Sequence, residues 1–223
     1  MRIQSAVTTR PRLSHRQFTH RLAPAFAFSI VVLTAGCETP SQSLEPSFVQ
    51  QIHAGQIRND VRKILGQPNW SRGLPGSGSA DTFLYAELVN SSTSPFPSAR
   101  DLKVRAFSVR YDASGTAQKT LFYESRTPAT LYHSSCYAGP TITDQGPSNI
   151  HIGVTTREDL EKMFPKPLII NLHPVQGLEL HWFQVEIGAS VTHFEDEQGL
   201  HVLIDDGGVV RDAEFHSTAD RSR

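Results

Sequence analysis

The residues that could do chemistry gather in the second half of the chain, where six of the ten histidines stand: His151, His173, His181, His193, His201 and His216. Strand alternation sets His201 against Leu200, Val202 and Ile204, and His216 against Val209, Ala213 and Phe215, so both imidazoles fall on the polar face of one hairpin beside Asp212 and Glu214. Two imidazoles and a carboxylate bind zinc when they converge, which makes His201, Glu214 and His216 the metal candidates. No His-x-x-x-His or Cys-x-x-Cys spacing accompanies them, and a solvated polar face accounts for the same residues, so no metal or other cofactor is expected. Nucleophilic catalysis has less support. There is no Gly-x-Ser-x-Gly elbow, the Gly73–Gly78 stretch lacks the lysine and following helix of a phosphate loop, and Cys136 stands three residues from His133 with no third orienting group. The chain is expected to be non-enzymatic.

Binding has a better candidate in Leu178-Glu179-Leu180-His181-Trp182-Phe183-Gln184-Val185, where both alternations carry apolar residues. Leu180 and Trp182 fall on one face and Phe183 and Val185 on the other, so if a helix covers one face the other leaves part of an apolar patch containing Trp182 or Phe183 open, and large exposed aromatics mark contact surfaces. Coverage by a neighbouring sheet, or by the loop after Arg126, is the competing reading.

The first 36 residues stand apart. Their only formal charges are Arg2, Arg10, Arg12, Arg16 and Arg21, followed by an apolar run from Leu22 to Ala35 that is short for a membrane span. The run ends Leu33-Thr34-Ala35-Gly36-Cys37, which resembles the lipobox of bacterial lipoproteins. That resemblance implies cleavage before Cys37 and acylation of it, and two or more acyl chains hold a protein on a membrane durably. Glu38 in place of an aspartate favours the outer membrane, periplasmic face. Five of the 21 Lys+Arg precede Cys37 and all 22 Asp+Glu follow it, so the mature part sets 16 basic against 22 acidic side chains, net −6. Such a balance gives no reason to expect nucleic acid as a partner; the expected partners are the membrane, through lipid on Cys37, and an envelope protein. With Cys37 acylated, Cys136 has no partner in the chain and is read as a small apolar residue.

Two short amphipathic helices organise the remainder. In Gly55–Pro68 the residues Ile57, Val61, Ile64 and Leu65 fall on one helical face before Gly66 and Pro68 end it; Gly153–Pro167 repeats the plan with Leu160, Met163 and Phe164. Each helix is followed by strand-like runs, including hairpins around Asp112–Gly115 and Asp205–Gly208. The expected fold class is α+β: two tandem units, each a short helix or helix pair packed on an antiparallel sheet of three to four strands. The expected boundaries are a signal peptide at 1–36, a tether at 37–46, units at 47–126 and 150–217 about a linker at 127–149, and a polar tail at 218–223.

Gly55, Val61, Leu65, Gly66 and Pro68, with the Asp112–Gly115 turn, resemble the signature of the SmpA/OmlA family of small outer-membrane lipoproteins. Ile57 stands where that family has a capping threonine, and Pro165 replaces the glycine in the second copy. The resemblance implies a lipid-anchored protein acting by protein contact in envelope or outer-membrane protein assembly or maintenance. Two such units in tandem are also similar in plan to secreted β-lactamase inhibitor proteins, which implies the alternative of a periplasmic inhibitor or ligand-binding module.

Overall fold

The computed structural model describes residues 28–30, 44, 46–74, 77–94, 96, 98–132, 135–142, 146–187, 192–194 and 198–217. Its elements run β1 (Phe28–Ile30), α1 (Pro46–Val49), α2 (Arg58–Leu65), β2 (Trp70–Leu74), β3 (Gly78–Asn90), β4 (Arg100–Tyr111), β5 (Ala117–Tyr132) and β6 (Ser135–Ala138). A 3-10 turn at Pro147–Asn149 leads to α3 (Arg157–Met163), β7 (Ile169–Leu172), β8 (Leu178–Phe183), β9 (Val185–Ile187), β10 (Thr192–Phe194), β11 (Gln198–Ile204) and β12 (Val210–Ser217). The strands form two antiparallel sheets. A curled sheet resembling half a barrel has the order β1-β10-β9-β6-β5-β4-β3-β2, of which β1 falls inside the 1–36 stretch expected to be removed as a signal peptide, and a four-stranded sheet has the order β12-β11-β8-β7.

This corrects the α+β expectation of two helix-on-sheet units. The molecule is mostly antiparallel sheet. Its two principal helices have only 8 and 7 residues, whereas β3, β4 and β5 have 13, 12 and 16. The large sheet also takes strands from both expected units: β6, inside the stretch read as linker, pairs with β9 through Cys136↔Ile187 and Ala138↔Val185. Pairing between residues so far apart leaves no local trace, because alternation shows that a strand exists and not which strand it joins. At Gln184 the chain passes from the small sheet (β8) to the large one (β9).

Central β4 shows how the sheets lock together. Its residues Phe107, Val109 and Tyr111 pack with Val61 of α2, Phe83 and Ala117 in one core. On its other face Leu102, Val104 and Ala106 pack with Leu168, Ile169 and Phe183 in a second. The Ser108 and Arg110 side, which alternation reads as wet, is therefore covered by the small sheet, and Ser108 is fully buried. Its hydroxyl accepts from Leu172 N at 3.0 Å, Arg110 donates to the carbonyls of His173 and Gly177 at 2.8 Å each, and Ser125 donates to Leu168 O at 2.7 Å. Those side chains take up one backbone group of β7 and others in the segments flanking it, so polar groups of the large sheet hold this end of the small one.

One junction recurs in both halves. Arg58 N donates to Gly115 O at 2.9 Å and Ala117 N to Gln56 O at 2.8 Å; Arg157 N donates to Gly208 O at 2.7 Å and Val210 N to Thr155 O at 2.9 Å. Each helix start is thus pinned to the turn of the hairpin that follows it. In both turns an aspartate, Asp112 or Asp205, accepts a backbone N–H four residues on (Thr116 at 3.0 Å, Val209 at 2.9 Å). Gly115 (φ 82) and Gly208 (φ 78) supply the left-handed residue that each turn requires.

Candidate functional site

The small sheet has two unlike faces. On one, Ile170, Leu180, Trp182, Leu200, Val202, Ile204 and Val210 form a core capped by Leu160 of α3 and by Phe164 just after it. On the other, β-register places His201 opposite His181 on one side and opposite Glu214 on the other, with Glu179 facing Asn171. The sequence expectation that His201, Glu214 and His216 share a hairpin face is met in this register.

A polar network runs through that second face. Arg72 Nη1 of edge strand β2 donates to Glu179 Oε1 at 2.8 Å, and Asn171 Nδ2 donates to Glu179 Oε2 at 2.9 Å. Asn171 Oδ1 lies 2.6 Å from His181 Nε2. Since that oxygen is an acceptor, His181 Nε2–H is the donor, while its Nδ1 is buried with no hydrogen-bond partner. The His181 and His201 rings meet edge to face at 4.6 Å, and those of His201 and His216 at 5.8 Å. Burial alone raises the Glu179 carboxyl, but His181, the charge of Arg72 and the Asn171 amide outweigh it and hold the group at about 2. Burial, then the neighbouring His181 and His216 imidazoles, push His201 down to about 3, so His201 is neutral at physiological pH. These residues line a shallow hollow of about 190 Å³. Among the described residues no three His, Cys, Asp or Glu side chains converge to hold a metal ion, so His201, Glu214 and His216 are aligned without forming a ligand set.

The aromatic strand corrects a second expectation. Leu180, Trp182 and Phe183 are all buried, not exposed as a contact patch. Trp182 packs on Phe164 at 5.7 Å and donates Nε1–H to Pro165 O at 2.7 Å, while Phe183 enters the core between the sheets. Both faces of β8 are covered: that of Leu180 and Trp182 beneath α3, and that of Phe183, which also carries Glu179 and His181, by the large sheet. What Leu180 and Trp182 do form is the floor of a cleft of about 440 Å³ between the end of α3 and β5.

Cys37 lies outside the described residues. Cys136 is a free, half-buried thiol whose pKa burial raises, which leaves it protonated and unreactive at neutral pH. Sequence reasoning missed two constellations. Glu179 was hidden in a strand read for its aromatics, although its alternation with His181 was visible. The second is Asp81, fully buried in β3, which accepts from Arg58, from Arg62 (Nε 2.9 Å, Nη2 3.0 Å) and from Ser71 (2.8 Å). No sequence signal links those four positions beyond the i, i+4 spacing of the two arginines.

Compared with known protein families, curated proteins and solved structures, the chain matches none of them. Among the described residues no helix is long and apolar enough to cross a membrane.

Proposed function

We propose that this chain is a lipid-anchored protein of the periplasmic face of the outer membrane, acting by non-covalent protein contact in envelope or outer-membrane protein assembly or maintenance. The observation that carries the reading is the order of the first 37 residues: five arginines, an apolar run, then Leu33-Thr34-Ala35-Gly36-Cys37. The acidic mature part gives no general attraction to anionic lipid headgroups, so acyl chains on Cys37 supply the membrane affinity. The resemblance of Gly55–Pro68 to the SmpA/OmlA signature supports the envelope role.

With Leu180, Trp182 and Phe183 buried, contact falls to apolar side chains that do reach solvent. Ile152 and Val154, 60% and 72% exposed, sit together at the approach to α3, and Phe96, 71% exposed, lies in the connection between β3 and β4. Intact mass and peptide mapping of the protein from cell envelopes should find a diacylated or triacylated Cys37 as the amino terminus, and Cys37→Ser should release the chain to the soluble fraction. A photo-crosslinker at Val154 or Phe96 should recover one discrete envelope protein. An unmodified terminus upstream of Cys37 would end the anchoring half of this reading; diffuse crosslinks at both positions would end the contact half.

A further inference from the structure

The cleft between α3 and β5 has a built chemistry that the anchoring reading does not use. Its floor is Tyr123 and Pro165 laid over Phe164, Ile170, Leu180 and Trp182, core residues that are only 1–7% exposed. The polar atoms bordering that floor are already engaged, with Trp182 Nε1 donating to Pro165 O at 2.7 Å and Tyr123 Oη donating to Pro167 O at 2.6 Å. A ligand lying there meets no donor or acceptor in want of a partner, so the floor selects an apolar body. At about 440 Å³ the space lies within the range of small-ligand sites, roughly 300–1,000 Å³.

The rim adds a sign. Arg157 is paired with Glu161 (Nε–Oε1 2.9 Å), and Glu124 is held by Arg105 (3.0 Å) and Lys103 (3.3 Å). Lys166 lines the same cleft from the exposed segment after α3 and makes no ion pair among the described residues. One cation therefore remains over a dry floor.

We propose that this cleft binds a single-chain anionic amphiphile, a small alkyl or arylalkyl carboxylate whose apolar part lies over Tyr123 and Pro165, directly above Trp182, and whose carboxylate meets Lys166. A lipid with two acyl chains is too large for it.

The test uses the purified full chain and ten-carbon probes below their micelle concentrations. Equilibrium dialysis should show saturable uptake of one decanoate per chain, weaker uptake of decanol, and weakest uptake of decyltrimethylammonium. A bromine-labelled decanoate should quench Trp182, read in a Trp70→Phe background because the chain has two tryptophans. Lys166→Glu, on the surface and harmless to the core, should weaken decanoate by about fivefold, the range of an exposed charge pair, and reverse the order of the charged probes. Non-saturable uptake, an unchanged order of probes in Lys166→Glu, absence of quenching, or equal competition by phosphatidylglycerol vesicles would each overturn the proposal.

Discussion

Arg72 and Glu179 stand 107 residues apart, yet they join an edge strand of the large sheet to an inner strand of the small one through a 2.8 Å contact. The carboxylate is nearly buried while the guanidinium is about half exposed (9% and 46% of the side chain). Loss of the arginine therefore strands a buried charge, but one still held by Asn171. Arg72→Ala should lower stability by about 1–2 kcal/mol, the worth of a hydrogen bond to a charged group discounted for solvent access. The linkage is directional. Glu179's folded pKa is depressed from 4.5 to about 2, so its contribution is complete above 4.5 and is lost as pH falls through 2. Urea midpoints at neutral pH check the first point, and a variant with an unchanged midpoint would deny the contact any role in joining the sheets.

A larger penalty is expected at Asp81. This fully buried carboxylate takes two arginine forks and a serine, fastening α2 to the strands beneath it. Burial raises its pKa, and the bonds from Arg58, Arg62 and Ser71 more than reverse that, leaving it below the usual carboxylate range. Asp81→Ala leaves two guanidiniums facing each other without an anion and should cost about 3–5 kcal/mol. Replacing Arg62 alone should cost much less, since Arg58 and Ser71 remain. Equal losses in the two variants, by denaturant titration, would mean that Asp81 does not act as the shared acceptor.

The histidine face yields a pH prediction with a definite sign. His201 is held neutral down to about 3 against an ordinary 6.5, so between those values the unfolded chain binds the extra proton and stability falls as pH falls. The slope grows from half of about 1.4 kcal/mol per pH unit at pH 6.5 toward the full value below it, so moving from pH 6.5 to 5 should cost about 1.7 kcal/mol. The surrounding groups are His181, His216, Glu179 and Arg72, with His173, Asp212 and Glu214 along the same hollow. His201→Gln keeps a polar side chain and removes the titration. Its stability should change less between pH 7 and 5, and parallel curves for the two proteins would place the acid sensitivity elsewhere.

How much of this was legible beforehand follows from the range of each interaction. The two helices and both hairpins are local, and periodicity or turn residues reveal them. The Gly, Ser and Pro content of residues 71–79 signals a loop, yet Trp70–Leu74 pairs along β3, because such content marks a turn only where no neighbour supplies the ladder. Residues 127–149 were read as a linker because of Pro128 and the Thr/Ser content. Pro128 is tolerated in β5 because it faces Asp101 of β4 at a position that β6 does not reach. The site was harder still. Whether Trp182 is floor or surface depends on what lies over it, and α3 and β5 meet there only through the tertiary fold.

The last prediction uses the two recurring helix starts as mutual controls. In α3, Thr156 accepts from Asp159 N (3.3 Å) while Asp159 Oδ2 accepts from Thr156 N (3.0 Å), a complete capping box. In α2 the equivalent place is held by Ile57, which has extended backbone (φ −80, ψ 146), makes no side-chain cap and is 52% exposed. Thr156→Ala should therefore lose about 1 kcal/mol, and Ile57→Thr should gain about 0.5–1 kcal/mol, because the backbone is already in cap geometry and little burial is given up. Both effects are read from denaturant midpoints with the slope unchanged. If Ile57→Thr is neutral or destabilising while Thr156→Ala is costly, then Ile57 O, which already takes Asp60 N at 3.0 Å, satisfies the amide that a side-chain cap would reach, and the absent cap costs the protein nothing.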